Sequence, residues 1–227
     1  GEMYEFRRDM EFITNDNPGF GASYTDQVGT IVAGNSFDYP YIHGKAVFEA
    51  GYPFYSCCNE TFCSDSTYRK DAWAADIICG KQVTTVVGKG SRPQAYTVFP
   101  AGMQKALKDF TADGGNVLVS GAYIATDIWD EVYPVQFDES FREQSKRFAQ
   151  NVLGYKWGAN AGSRRCEVRP YPNKVFAPIK NGKYSICNEI NEERYCVESP
   201  DGIVPASRNG SVIMRYTDTD ISAGICH

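Results

Sequence analysis

The residues able to do chemistry fall in three short stretches of this 227-residue chain: Asn35 to His43 (NSFDYPYIH), Lys81-Gln82, and Ser120 to Asp127 (SGAYIATD). Two constellations can be assembled from them. With Ser120 as nucleophile, His43 as base and Asp38 or Asp127 orienting that base, the set makes a serine-hydrolase arrangement. With Tyr39, Tyr41 or His43 taking a proton next to a uronic carboxylate, and Asn35, Gln82 or Lys81 neutralising that carboxylate, it makes a polysaccharide lyase. Tyr39, Tyr41 and Tyr123 add flat apolar faces on which a sugar ring can rest. Plainer roles compete with each assignment. A histidine beside aromatic residues is commonly a packed, hydrogen-bonded one, and Ser120 can simply permit close packing or cap the next helix. Leu118 and Ala122 stand where a G-x-S-x-G elbow around Ser120 needs its glycines.

Metal and cofactor chemistry finds little material. The histidines are His43 and His227, and Cys57-Cys58-x4-Cys63 lacks a second ligand pair of zinc spacing. Asp218-x-Asp220 has no glycine-centred loop of the calcium-binding kind, so a solvated turn is the expected reading. No metal and no cofactor are expected. A net charge of −5 without a Lys/Arg stripe argues against nucleic acid, and Arg7-Arg8 and Arg164-Arg165 read as solvated faces. The apolar runs fall far short of the roughly 20 residues that cross a bilayer, so no membrane partner is expected. Aromatic residues make up 14%, which suits sugar stacking or a β-rich core.

Eight cysteines are many for a cytosolic chain of this size. Cys57, Cys58 and Cys63 share one polar loop, and Cys187 and Cys196 flank NEINEERY. Local disulfides, thiols and a metal site are the three readings. The short spacing favours disulfides, hence an oxidising compartment: secreted, periplasmic or at the cell surface. Gly1 ahead of Glu2-Met3 reads as a tag remnant, and the last strand stops in mid-pattern at His227. The chain is therefore expected to be a piece of a longer protein.

These groups need elements to position them. Met103, Ala106, Leu107 and Phe110 form one helical stripe, stopped by Asp113-Gly114-Gly115. Val117-Leu118-Val119 follows as a strand buried on both faces. Ahead of it, Gly29 to Gly34, Phe54 to Cys57 and Trp73 to Gly80 read as strands, and Pro40 opens a helix carrying Ile42, Ala46, Val47 and Ala50. Strands alternating with helices predict a parallel sheet covered on both faces, with ligands at the carboxyl ends of its strands. Glu139 to Leu153 reads as a further amphipathic helix. Beyond Cys166 come short strands, 174–177, 184–187, 203–204, 211–216 and 221–225, with Asn181-Gly182 and Asn209-Gly210 as turns.

At NVLVSGAYIATD the chain resembles the class I glutamine amidotransferase-like superfamily. With NDNPGFGASY, AGNSFDYPYIHGK, the Gly80-Lys81-Gln82 tip and FPAGMQKAL, residues 12 to 155 look like a module of secreted bacterial proteins labelled xanthan lyases. The resemblance implies an α/β fold, a flavodoxin-like three-layer sandwich with a mostly parallel sheet, here with a β-rich C-terminal extension. It divides the chain into a lead-in segment (1–28), an amidotransferase-like domain (29–155) and the extension (156–227). The amidotransferase nucleophile is missing. Ser120, Gly121 and Ala122 hold the elbow, no cysteine lies between Cys79 and Cys166, and no histidine follows the elbow before His227. Glutamine hydrolysis is not expected. The implied function is a carbohydrate-associated module of a secreted protein, binding or structural, with polysaccharide and neighbouring domains as partners. The alternative is a polysaccharide lyase or hydrolase acting at the sheet edge.

Overall fold

The computed structural model describes residues 24–25, 31–32, 39–55, 57, 59–78, 83–84, 94–95, 98–121, 123–130, 138–165, 167–173, 182–186, 188–190, 193–195 and 200–227. The chain divides into two compact units. One comprises residues 1–72, 82–96 and 188–195, the other residues 73–81, 97–187 and 196–227. Elements are numbered along the chain.

In the first unit, strands β1 (Tyr24–Thr25) and β2 (Ile31–Val32) pair antiparallel. Helix α1 (Tyr39–Glu49) begins with Pro40 in its first turn, where an amide N–H would have no helical acceptor anyway. Helices α2 (Asn59–Ser64) and α3 (Thr67–Lys70) are joined through Asp65, whose Oδ1 accepts from the Thr67 N–H at 2.8 Å. Arg69 locks this corner by donating to the Phe62 carbonyl, with its guanidinium 5.4 Å above the Phe62 ring. Two further antiparallel pairs are described in this unit: β4 (Val83–Thr84) with β5 (Gln94–Ala95), and β10 (Asn188–Ile190) with β11 (Glu193–Tyr195).

The second unit carries the core. Strand β3 (Ala74–Ile78) runs parallel to β6 (Asn116–Ser120), and helix α4 (Ala101–Ala112) lies between them in sequence. The predicted stripe of α4, Met103, Ala106, Leu107 and Phe110, is buried. Gly114, at φ +90°, ends the helix in a conformation that a side chain would strain. The short helix α5 (Thr126–Trp129) follows β6, and α6 (Glu139–Asn151) packs Phe148 against Phe99 with ring centroids 5.5 Å apart. Burying Phe99, Leu107 and Phe148 contributes about 1.5–3 kcal/mol for each side chain. Gln104 spans the α4–α6 interface, donating to the Phe99 carbonyl and to Ser145 Oγ, both at 2.9 Å. Asp138 caps α6 by accepting from the Ser140 and Phe141 amides.

The remaining strands are antiparallel. β7 (Tyr155–Ala159) pairs with β12 (Gly202–Pro205). A four-stranded sheet has the order β14 (Ser222–Cys226), β13 (Ser211–Tyr216), β8 (Glu167–Pro170), β9 (Tyr184–Ser185).

This corrects the expected flavodoxin-like sandwich. Among the described residues the sheets are small and mostly antiparallel, and β3–β6 is the single parallel pair. Within 29–34, residues 31–32 form β2, whose partner among the described residues is the antiparallel β1. Of the expected second strand at 54–57, residues 54, 55 and 57 are described and form no strand. In β6, Leu118 is 58% exposed while Val117 and Val119 are half-buried, so the strand alternates and is not covered on both faces. The physical reason is that a short apolar run signals burial without naming its partner strand. Helix-strand alternation is compatible with hairpins as well as with crossovers. The expected strand at 174–177 and the turn residue Asn181 lie outside the described residues.

Candidate functional site

Because β3 and β6 are parallel and paired Ile78 to Ser120, their carboxyl ends share one edge. Ser120 is half-buried there, followed by Gly121 at φ +155° and Tyr123 at φ +58°. A left-handed tyrosine costs on the order of 1–2 kcal/mol, so its surroundings must hold it. Asp201, from the segment ahead of β12, accepts the Ala125 and Thr126 amides on Oδ2 at 2.8 Å each and the Thr126 hydroxyl on Oδ1 at 2.5 Å. Asp127 Oδ2 accepts the Val98 N–H at 2.9 Å. Tyr155 donates to the Ile124 carbonyl at 2.6 Å, and Tyr216 to the Asp201 carbonyl at 2.7 Å.

Asp127 and Asp201 are 3% and 5% exposed. Burial pushes the Asp201 carboxyl above the ordinary carboxylate range. Its bonds from Thr126 and Ala125 oppose that shift, and the nearby charge of Asp127 adds to it. Both carboxylates face backbone amides, so chemically they fix the turn. The groups that the turn can offer a ligand are Ser120 and Tyr123, both only half-buried.

The other sequence candidates are distributed as follows. Tyr39, Tyr41 and His43 lie in the first turns of α1, in the first unit, so the expected loop is helical from Tyr39 onward. Ser120, Tyr123 and Asp127 are brought together in the second unit. Asn35, Asp38, Lys81 and Gln82 lie outside the described residues. Asp218 accepts from Ser163 Oγ at 2.8 Å and from the Arg164 amide at 2.9 Å, which makes it a turn tie. Among the described residues no group of three His, Cys, Asp or Glu side chains could hold a metal ion. No disulfide joins two described cysteines, namely Cys57, Cys63 and Cys226, while Cys187 and Cys196 lie outside the described residues.

Asp201 escaped the sequence reading. Ser199-Pro200-Asp201-Gly202 carries an ordinary turn signature, and nothing in it announces partners 75 and 76 residues away.

A second feature is the aromatic surface. Phe48, Tyr52 and Tyr55 are exposed in the first unit, Tyr55 at 82%, and Trp73, Tyr171 and Tyr184 in the second, Trp73 at 66%. Set against protein-family models, curated proteins and solved structures, the chain has no match in any of the three.

Proposed function

We propose that this chain is a carbohydrate-associated module of a secreted protein, and that it binds polysaccharide through exposed aromatic side chains. The observation that carries the reading is the exposure of Phe48, Tyr52 and Tyr55 on one unit and of Trp73, Tyr171 and Tyr184 on the other. Leaving large apolar rings in water forgoes about 25 cal/mol per Å² of burial, a cost that a stacked sugar ring recovers. Amidotransferase likeness enters the proposal through the NVLVSGAYIATD stretch alone, without the nucleophile that glutamine hydrolysis requires. Native electrophoresis through gels containing a panel of polysaccharides tests the reading. At least one polymer should retard the chain, and Tyr55→Ala or Trp73→Ala should weaken that retardation several-fold, up to about tenfold. Unretarded migration with every polymer would overturn it.

Secretion rests on the cysteine spacing, with Cys187 and Cys196 as the candidate bridge. Counting thiols in denatured, unreduced protein should give fewer than the eight cysteines of the sequence, two lost for each bridge. A full count of eight removes the support for an oxidising compartment.

A second reading, a polysaccharide lyase or hydrolase, is favoured by one observation: the left-handed Tyr123 beside Ser120 at a strand end, where backbone outliers cluster at functional sites. Here Tyr123 would take the proton and Ser120 would hold the substrate. Chain cleavage would establish it, with new ultraviolet absorbance of an unsaturated uronate marking the lyase and new reducing ends without that absorbance marking the hydrolase, and intact polymer after prolonged incubation would exclude it.

A further inference from the structure

The four-stranded sheet of the second unit gathers a group of charged side chains on one face. Arg215 of β13 and Arg169 of β8 are direct cross-strand partners, so both side chains leave the same face, and like charges placed opposite each other destabilise a sheet. Tyr171, two residues beyond Arg169, continues the pairing through its amide to the Ile213 carbonyl at 2.8 Å and shares that face. The Arg215 guanidinium lies 4.5 Å above the Tyr171 ring. Asp220 sits with the pair, accepting from Arg169 Nη2 on Oδ1 at 2.5 Å and from Arg215 Nη1 on its carbonyl at 2.6 Å. Arg215 Nε is buried with no hydrogen-bond partner among the described residues. Lys183 lies 3.3 Å from Glu167 beside them.

The cluster therefore sets Arg169, Arg215 and Lys183 against Glu167 and Asp220, leaving an uncompensated positive charge in a chain of net charge −5. The guanidiniums are held before any ligand arrives. One is stacked on an aromatic ring, the other is fixed by a carboxylate, and a planar fork so placed meets a carboxylate with little further ordering cost. Side-chain exposures of 42% for Arg169 and 24% for Arg215 leave donors within reach of solvent.

We infer that Arg169 and Arg215 form a subsite for the carboxylate of an acidic polysaccharide, with Tyr171 supplying the adjoining apolar surface. The inference deepens the polysaccharide-binding proposal and rests on it. Its test compares polygalacturonate with the fully methyl-esterified polymer, which keeps the ring and loses the charge, and with a neutral glucan, using the whole chain. The free acid should bind, the ester should bind at least about tenfold more weakly, and added salt should weaken the acid's binding. Arg169→Gln should lower affinity for the acid about tenfold with an unchanged near-ultraviolet spectrum, and Arg169→Lys should recover only part of it. Equal binding of acid and ester, unaltered binding by Arg169→Gln, or binding of the glucan alone would each overturn the subsite while leaving polysaccharide binding standing. No binding to any polymer would overturn both.

Discussion

The turn after β6 and the sheet β14-β13-β8-β9 lie in one unit, and each brings together two like charges from distant parts of the chain. In the turn, Asp127 and Asp201 are almost wholly buried and engaged by the amides of Val98, Ala125 and Thr126. On the sheet, Arg169 and Arg215 stand partly in solvent, with Asp220 as their shared partner. A titratable residue held by interior backbone amides, as Asp127 and Asp201 each are through Oδ2, is occupied with folding. One whose donors still reach water is available to a ligand. The residue types of the turn look like chemistry, yet of the two pairs it is the one on the sheet that stands partly in solvent.

The largest effect separating the two regions concerns stability. Asp201→Ala strands two amides and a hydroxyl in the interior, at about 1–3 kcal/mol for each group left unsatisfied. The loss should total several kcal/mol in urea unfolding of the whole chain. Asp201→Asn, which retains one acceptor oxygen, should lose clearly less. If Ala proves as harmless as a surface change, the turn is held by something else.

A smaller effect appears in pH dependence, where the buried carboxyl and an exposed one have opposite signs. Burial raises the Asp201 carboxyl in the folded chain, so the folded form holds its proton longer than the unfolded form. Its contribution is complete below the unfolded value near 3.8 and is lost as pH rises through the raised folded value. Asp138 is shifted down, first by the Ser140 hydroxyl and then by the Phe141 and Ser140 amides. Its contribution is present above 3.8 and is lost as pH falls through the lowered value. Urea midpoints measured from pH 3 to neutrality should therefore change least with pH in the Asp138→Asn, Asp201→Asn double variant. A double variant as steep as the unmutated chain on both sides would contradict the assignment.

These two carboxylates also show what could be read in advance. Asp138 caps α6 through neighbours two and three residues away, so its role is written in Asp138-Glu139-Ser140-Phe141, and the apolar stripe of α4 is equally local. Asp201 acts across 75 residues, and the Arg169–Arg215 pair exists only through the register of β8 with β13. Sequence neighbours such as Arg164-Arg165 drew attention instead. The parallel-sheet expectation failed for the same reason. Strand pairing is a long-range fact, and the runs at 29–34 and 54–57 carry no mark of which partner they take, or whether they take one. Of the site, Ser120, Tyr123 and Asp127 could be located because they lie within one short stretch, 120–127. What could not be read was that Asp127 turns inward while Tyr123 takes the left-handed conformation.

The most direct test of the division between buried turn and exposed sheet is the affinity of polygalacturonate for two variants measured side by side. Tyr123→Gly removes the ring while relieving its backbone strain, and Arg169→Gln removes one guanidinium from the sheet. Tyr123→Gly should bind within about twofold of the unmutated chain, and Arg169→Gln about tenfold more weakly. Weak binding by Tyr123→Gly with unchanged binding by Arg169→Gln would contradict that division and return the ligand to the end of β6.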